Sequence, residues 1–172
     1  MARIPYADPA RPEIAALAER ITRERGGRML NLYRMLLNSP PVAEGWLALF
    51  TAIRQKAKLA DRYRELATLR VAVLNGADYE FEAHVPFALK AGVTQAQLDA
   101  MRAGRMPEGL EEADRAVLEY TEAMTRAIRV DDALFARIRS HFDDQETVEL
   151  TATIAGYNLV SRFLEAMRID HD

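Results

Sequence analysis

The sequence predicts an all-α protein of about eight or nine helices, and three observations carry that expectation. Apolar residues recur at helical spacing almost throughout, no segment sustains the period of two that a strand needs, and start and stop signals punctuate the periodic runs. Ile14, Leu17, Ala18 and Ile21 form the first stripe, which Gly26-Gly27 stops. Leu32, Tyr33, Leu36 and Leu37 give a short second helix. Ser39 is placed to cap a third, with Pro40 in its first turn, where a missing N–H costs nothing. That helix carries Trp46, Leu49, Phe50 and Ile53 and ends in a solvated stretch around Lys56 to Lys58.

A fourth helix is expected from Asp61 to Asn75-Gly76, a pair that favours positive φ. Asp78 is placed to cap a fifth, Tyr79 to Lys90, ending at Gly92. Thr94 and Gln97 have capping-box spacing and open a sixth. A polar connector, Gly104 to Gly109, precedes a helix from Glu111 to about Arg129 and a short one after Asp131-Asp132. A last long helix begins near Asp143-Asp144, its apolar residues Val148, Ala152, Ala155, Leu159, Phe163 and Met167 at helical spacing. Arg64 to Leu69 faintly echoes Val148 to Thr153, which either a duplicated unit or chance would explain.

Composition narrows the function classes. The chain has 172 residues, a length that favours one domain with a real core. Its formal charge of −3, with Lys and Arg scattered among Asp and Glu, offers no stripe for nucleic acid or an anionic membrane. No apolar run approaches the roughly 20 residues of a membrane span, and the start has no apolar signal region, so a cytoplasmic location is expected. There are 0 cysteines. Thiol nucleophiles, thiolate metal sites and disulfides are therefore impossible.

Residues 61–92 hold the constellation with chemical potential. Glu80 and His84 are four apart and share a helix face. Glu80 falls in a first turn, where the helix dipole favours a carboxylate. If the fourth and fifth helices pack as an antiparallel hairpin, Glu65 lies near the far part of the second helix, where His84 sits. A carboxylate facing an imidazole orients the ring and equips the pair to move protons. Pro86 lies inside the same helix and frees the carbonyl of Glu82, an interior irregularity costing about 3 kcal/mol. Arg70 and Arg162 sit on apolar helices, either paired or waiting for an anion. Tyr157 reads as core, and Asn158, polar on an apolar face, needs a partner. One imidazole and two carboxylates without a second histidine make a poor metal set, so no metal is expected.

This stretch resembles the core of the carboxymuconolactone decarboxylase and alkylhydroperoxidase D-like family. The peroxidase branch carries a Glu, then Cys-x-x-Cys, then His at fixed offsets. Glu65 and His84 match the glutamate and histidine, while the two cysteine positions fall on Ala77 and Glu80. Phe87 to Thr94 is similar to the family, as are Tyr157-Asn158 with Arg162. The resemblance is specific over about residues 61–92, with residues 1–58 as a helical extension of one domain. It implies a helical bundle that self-associates as a dimer, trimer or hexamer and needs no cofactor. Peroxidase chemistry of the peroxiredoxin type requires a thiolate, which this chain lacks. The decarboxylase branch implies acid–base chemistry, decarboxylation or isomerisation, on a small organic acid or lactone. In it His84, Glu65 and Glu80 would be catalytic, and Arg70, Arg162, Tyr157 and Asn158 would bind substrate. The alternative is a non-catalytic small-molecule-binding or scaffold protein that kept the fold.

Overall fold

Nine α-helices and one π-helical turn account for the ordered backbone of the computed structural model, which describes residues 1–172. They fall into two compact units: Met1–Lys56 with Leu164–Asp172, and Ala57–Phe163.

The first unit contains α1 (Ala15–Glu24), α2 (Asn31–Leu36), α3 (Pro40–Thr51) and the π turn Ala52–Lys56. Ile14, Ile21, Leu36, Leu37 and Leu47 are fully buried, each worth about 1.5–3 kcal/mol of transfer energy. Arg25 ties this unit together. Its Nε donates to Tyr33 Oη at 2.8 Å and its Nη1 to Thr51 Oγ1 at 3.1 Å, and the Thr51 hydroxyl donates to Glu24 at 2.7 Å. Ser39 stands at the N-cap of α3 as expected, but its side chain makes no capping bond; only Pro40 performs its predicted role.

The second unit holds α4 (Asp61–Asn75), α5 (Asp78–Lys90), α6 (Gln95–Arg102), α7 (Glu112–Arg126), α8 (Asp132–His141) and most of α9 (Asp144–Met167). α4 is its central rod. Every residue from Arg64 to Ala72 is buried, because α5, α6 and α7 all pack against it. Gly76 ends α4 in the left-handed region at φ 66°, and Ala77 N–H reaches back to Ala72 O at 2.9 Å. That left-handed closure turns the chain sharply into α5. Asp78 does not cap α5: Ala77 holds the N-cap position and Asp78 is already helical. The capping box of Thr94 and Gln97 forms with both bonds, and Asp131 caps α8 through Leu134 N–H.

One ion pair pins this unit. Arg62 meets Asp114 through Nε at 3.0 Å and Nη2 at 2.7 Å, and its Nη1 donates to Gly92 O at 2.6 Å. Asp114 is 1% exposed and Arg62 only partly so, and removing the acid leaves the guanidinium with Gly92 O in place of a charged partner. Asp114→Ala is expected to cost about 3 kcal/mol, read as a lower urea midpoint with an unchanged slope.

α9 corrects the sequence-level stripe. Its buried side is Leu150, Ile154, Tyr157, Ser161 and Leu164. Of the stripe read from periodicity, Val148 is 67% exposed, Leu159 is 47% exposed and Ala155 is open to solvent. The helix is apolar on two faces, and periodicity alone cannot say which one turns inward.

Candidate active site

The α4–α5 hairpin brings Glu65 and His84 together. α4 runs toward Gly76 and α5 runs back, so residues at comparable distances from that corner meet. His84 Nδ1 lies 2.7 Å from Glu65 Oε2, and both side chains are nearly sealed, at 6% and 2% exposure. An ionised carboxylate only accepts, so with Glu65 in that form the proton of this bond sits on Nδ1.

Arg64 completes the arrangement. Its Nε donates to the other oxygen of Glu65 at 3.1 Å and its Nη1 to Asp61 at 2.8 Å. Burial opposes charge on this guanidinium, yet the neighbouring Glu65 carboxylate and Asp61 hold its pKa above the ordinary value. A fixed cation beside Glu65 favours the carboxylate form. Neighbouring residues of a helix do not face each other, so spacing did not single out Arg64 as part of a site. The contact is made by the far end of its long side chain, at Nε.

Glu80 is 2% exposed and accepts a hydrogen bond from the Ser161 hydroxyl on α9. Ser161 Oγ also lies 3.0 Å from Tyr157 O, one turn earlier. Ser161 was absent from the sequence-level candidates. Its only signal was a hydroxyl on what proves to be the inward face of α9. Tyr157 presents itself edge-on to the His84 ring, centroids 5.0 Å apart at 88°, and Phe87 lies 6.0 Å from the same ring. Pro86 sits inside α5 without breaking it, two residues after His84.

The remaining candidates lie on other contacts. Arg70 is five residues along α4 from Glu65, about 140° around the helix. It bonds Glu122 of α7 at 2.7 Å. Asn158 has found partners: Asn75 Nδ2 donates to its Oδ1 at 3.0 Å, and its own Nδ2 donates to Thr125 Oγ1 at 2.9 Å. Arg162 Nη1 donates to Asn158 Oδ1 at 2.7 Å and to Asn158 O at 3.1 Å. Thus Glu65, His84, Tyr157 and Arg64 form one set, joined to Glu80 through Ser161 beside Tyr157. Arg70 points to α7, and Asn158 and Arg162 bond each other.

The Arg70–Glu122 bond makes a pH prediction. The hydrogen bond from Arg70 holds the Glu122 carboxyl below its ordinary value of 4.5; burial, the next largest influence, acts the other way, and the charges of Arg70 and Arg126 add to the lowering. A depressed carboxylate contributes stability that is present above its unfolded pKa and lost as pH falls through the folded one. The wild type should therefore lose stability relative to Glu122→Gln as the buffer goes from about pH 5 to about pH 3, measured by urea unfolding. Parallel acid limbs would count against the clamp.

No three His, Asp or Glu side chains are grouped where they could hold a metal ion. No helix is long and apolar enough to cross a membrane. The site brings together an imidazole oriented by Glu65, the rings of Tyr157 and Phe87 beside it, and the buried carboxyl of Glu80 bonded to Ser161.

Known proteins resemble this chain in sequence and in fold. A sequence model of the carboxymuconolactone decarboxylase family matches residues 40–123, a span that includes Glu65, Ala77, Glu80 and His84. Uncharacterized protein YdfG of Bacillus subtilis (strain 168) is 31% identical over 60% of this chain and 72% of its own length. Uncharacterized protein YnjA of Escherichia coli (strain K12) is 33% identical over 73% of this chain and 66% of its own length. Among solved structures, the alkylhydroperoxidase AhpD core of a peroxidase-related protein from Ralstonia eutropha JMP134 superposes with a TM-score of 0.84. It shows 18% identity, covering 99% of this chain and 92% of that one. A cysteine-to-alanine form of the debrominase Bmp8, in complex with 2,3,4-tribromopyrrole, superposes with a TM-score of 0.81 at 18% identity, covering 100% and 94%. These likenesses extend the sequence-specific core of about 61–92 in both directions. The chain belongs to the carboxymuconolactone decarboxylase family.

Proposed function

We propose that the protein is a cofactor-independent enzyme that moves a proton on a small organic acid, lactone or enol, by decarboxylation or isomerisation. The observation that supports it is the sealed 2.7 Å bond between His84 Nδ1 and Glu65. In this reading Nε2 is the base. In an isomerisation, Nε2 takes a proton from carbon next to a carbonyl, the electron pair moves into the carbonyl as an enolate, and the resulting imidazolium returns the proton to another carbon. Glu65 holds the ring and stabilises that imidazolium. Arg64 positions Glu65, and Tyr157 and Phe87 flank the ring. Glu80, with Ser161, supplies a second polar group for a substrate oxygen. Thiol-based peroxide reduction is outside this chemistry, because the chain has 0 cysteines.

The test uses the pure protein with γ-lactones and β-keto or enol acids in D2O, followed by proton NMR without added metal or cofactor. Deuterium uptake at the carbon next to the carbonyl, or loss of carbon dioxide, above the buffer rate is expected. A panel that binds yet shows neither reaction would overturn the reading.

One observation favours a second reading, binding without turnover. The signature position occupied by Ala77 carries no reactive group and is 1% exposed. Ligand-dependent thermal shifts without proton exchange would support it.

A further inference from the structure

We propose that the His84 site takes an uncharged carbonyl compound, a lactone, ketone or enol without a carboxylate, and turns carboxylate-bearing compounds away. This names the substrate class of the proton-transfer reading and rests on it. The ground for it is where the structure sends the cations of α4, α5, α6 and α9.

A carboxylate is held by a guanidinium or ammonium with N–H groups to give, and taking one out of water without such a partner is unfavourable. Arg64, 8% exposed, is the arginine of the His84 set, and it already gives Nε to Glu65 and Nη1 to Asp61. Two acids hold one cation. Arg62, one turn before Glu65, is clamped on Asp114 and Gly92 O. Arg70 leaves α4 about 140° round from Glu65 and gives Nη2 to Glu122. Arg162 follows Ser161 by one residue, so it leaves α9 about 100° round from the hydroxyl that meets Glu80, and it bonds Asn158. Arg102 pairs with Glu82 and lies over the Phe81 ring, 4.5 Å from its centroid. The arginines on these helices are thus engaged with other groups.

The side chains around the imidazole are of a different character. Tyr157, 2% exposed, sets its ring edge-on at 5.0 Å, and Phe87, 46% exposed, lies at 6.0 Å on the side nearer solvent. Glu80, one turn before His84 and 2% exposed, adds a carboxyl held by Ser161. In its ionised form Glu80 repels a second carboxylate; in its protonated form it donates to a carbonyl oxygen without adding a charge. Either form favours a neutral ligand, and the aromatic rings suit a flat one.

This selection also chooses between the two reactions. Decarboxylation requires a carboxylate to enter the site, whereas isomerisation of a neutral lactone does not. In a butenolide whose double bond lies one carbon away from conjugation, Nε2 takes a proton from the carbon between the carbonyl and the double bond. The C–H pair becomes part of a dienolate, and the imidazolium returns the proton to the far carbon of the double bond. No atom is gained or lost, and no co-reactant is needed.

The test compares α-angelica lactone, a neutral butenolide of this kind, with the same butenolide carrying a carboxylate on its ring methyl. Ultraviolet absorbance of the conjugated isomer follows turnover, and the His84 ring signals in NMR of the full-length protein follow binding. The neutral lactone should bind and isomerise, with the carboxylate analogue about 100-fold weaker in binding. Phe87→Lys, which sets an ammonium beside the imidazole, should narrow that gap about tenfold. Equal or tighter binding of the carboxylate, binding of neither compound, or a gap that Phe87→Lys leaves unchanged would each overturn the assignment. Selective binding of the neutral lactone without isomerisation would support the charge selection and sink only the catalytic reading.

Discussion

His84→Ala should leave a folded protein that has lost about 10²–10⁴-fold in turnover on any substrate found by the exchange assay, with substrate binding far less affected. The size follows from how the ring is held. Nδ1 is held by Glu65 at 2.7 Å, and Nε2 is the atom proposed to exchange a proton with a ligand. Truncation removes that atom and leaves Glu65 in its contact with Arg64. Far-ultraviolet circular dichroism and the urea midpoint separate lost chemistry from lost structure. Full turnover in a folded His84→Ala protein would remove the imidazole from the mechanism.

Glu65→Gln should be nearly as damaging although His84 is untouched. The carboxylate only accepts, and so pins the Nδ1–H tautomer. A glutamine amide offers two hydrogens as well as an oxygen. With its NH2 toward the ring it demands a lone pair at Nδ1, and the proton then moves to Nε2. The base is lost at the reacting atom, and the carboxylate that would stabilise an imidazolium is gone too. Comparable tautomer reversals in serine proteases cost about 10⁴-fold. The swap also leaves the buried Arg64 guanidinium, 8% exposed, against a neutral group. Nitrogen-15 NMR of labelled histidine reads the tautomer directly. The wild type should show a proton on Nδ1 and Glu65→Gln a shift toward Nε2. An unchanged tautomer with reduced turnover would make Glu65 a structural residue rather than the one that sets the ring's proton.

The readable parts of the fold were those set by local chemistry. Gly76 and Gly92 adopt positive φ at the ends of α4 and α5, and Thr94 with Gln97 closes a capping box, because short-range geometry decides each. Ser39 and Asp78 show where local rules lose. Either could cap, but α3 begins without a bond from the Ser39 side chain, and α5 begins one residue earlier than a cap at Asp78 would allow. The meeting of Glu65 and His84 was legible because one hairpin joins them. Arg64 and Ser161 were not, since neither lies at a helical spacing that marks it as a partner of Glu65 or Glu80.

Taken by itself, the amino-acid sequence determined that the chain is helical, that it carries an acid and an imidazole on two successive helices, and that no thiol exists in it. Those are statements about covalent content and local periodicity, which folding cannot change. The tertiary structure alone decided that Ser161 bonds Glu80 across 81 residues, that Arg64 braces Glu65, and that α9 buries Leu150, Ile154 and Tyr157 rather than Val148 and Leu159. A helix with two apolar faces has no internal reason to prefer either. The choice is made by the summed packing of α4, α5 and α7, elements that meet only after the chain has closed on itself.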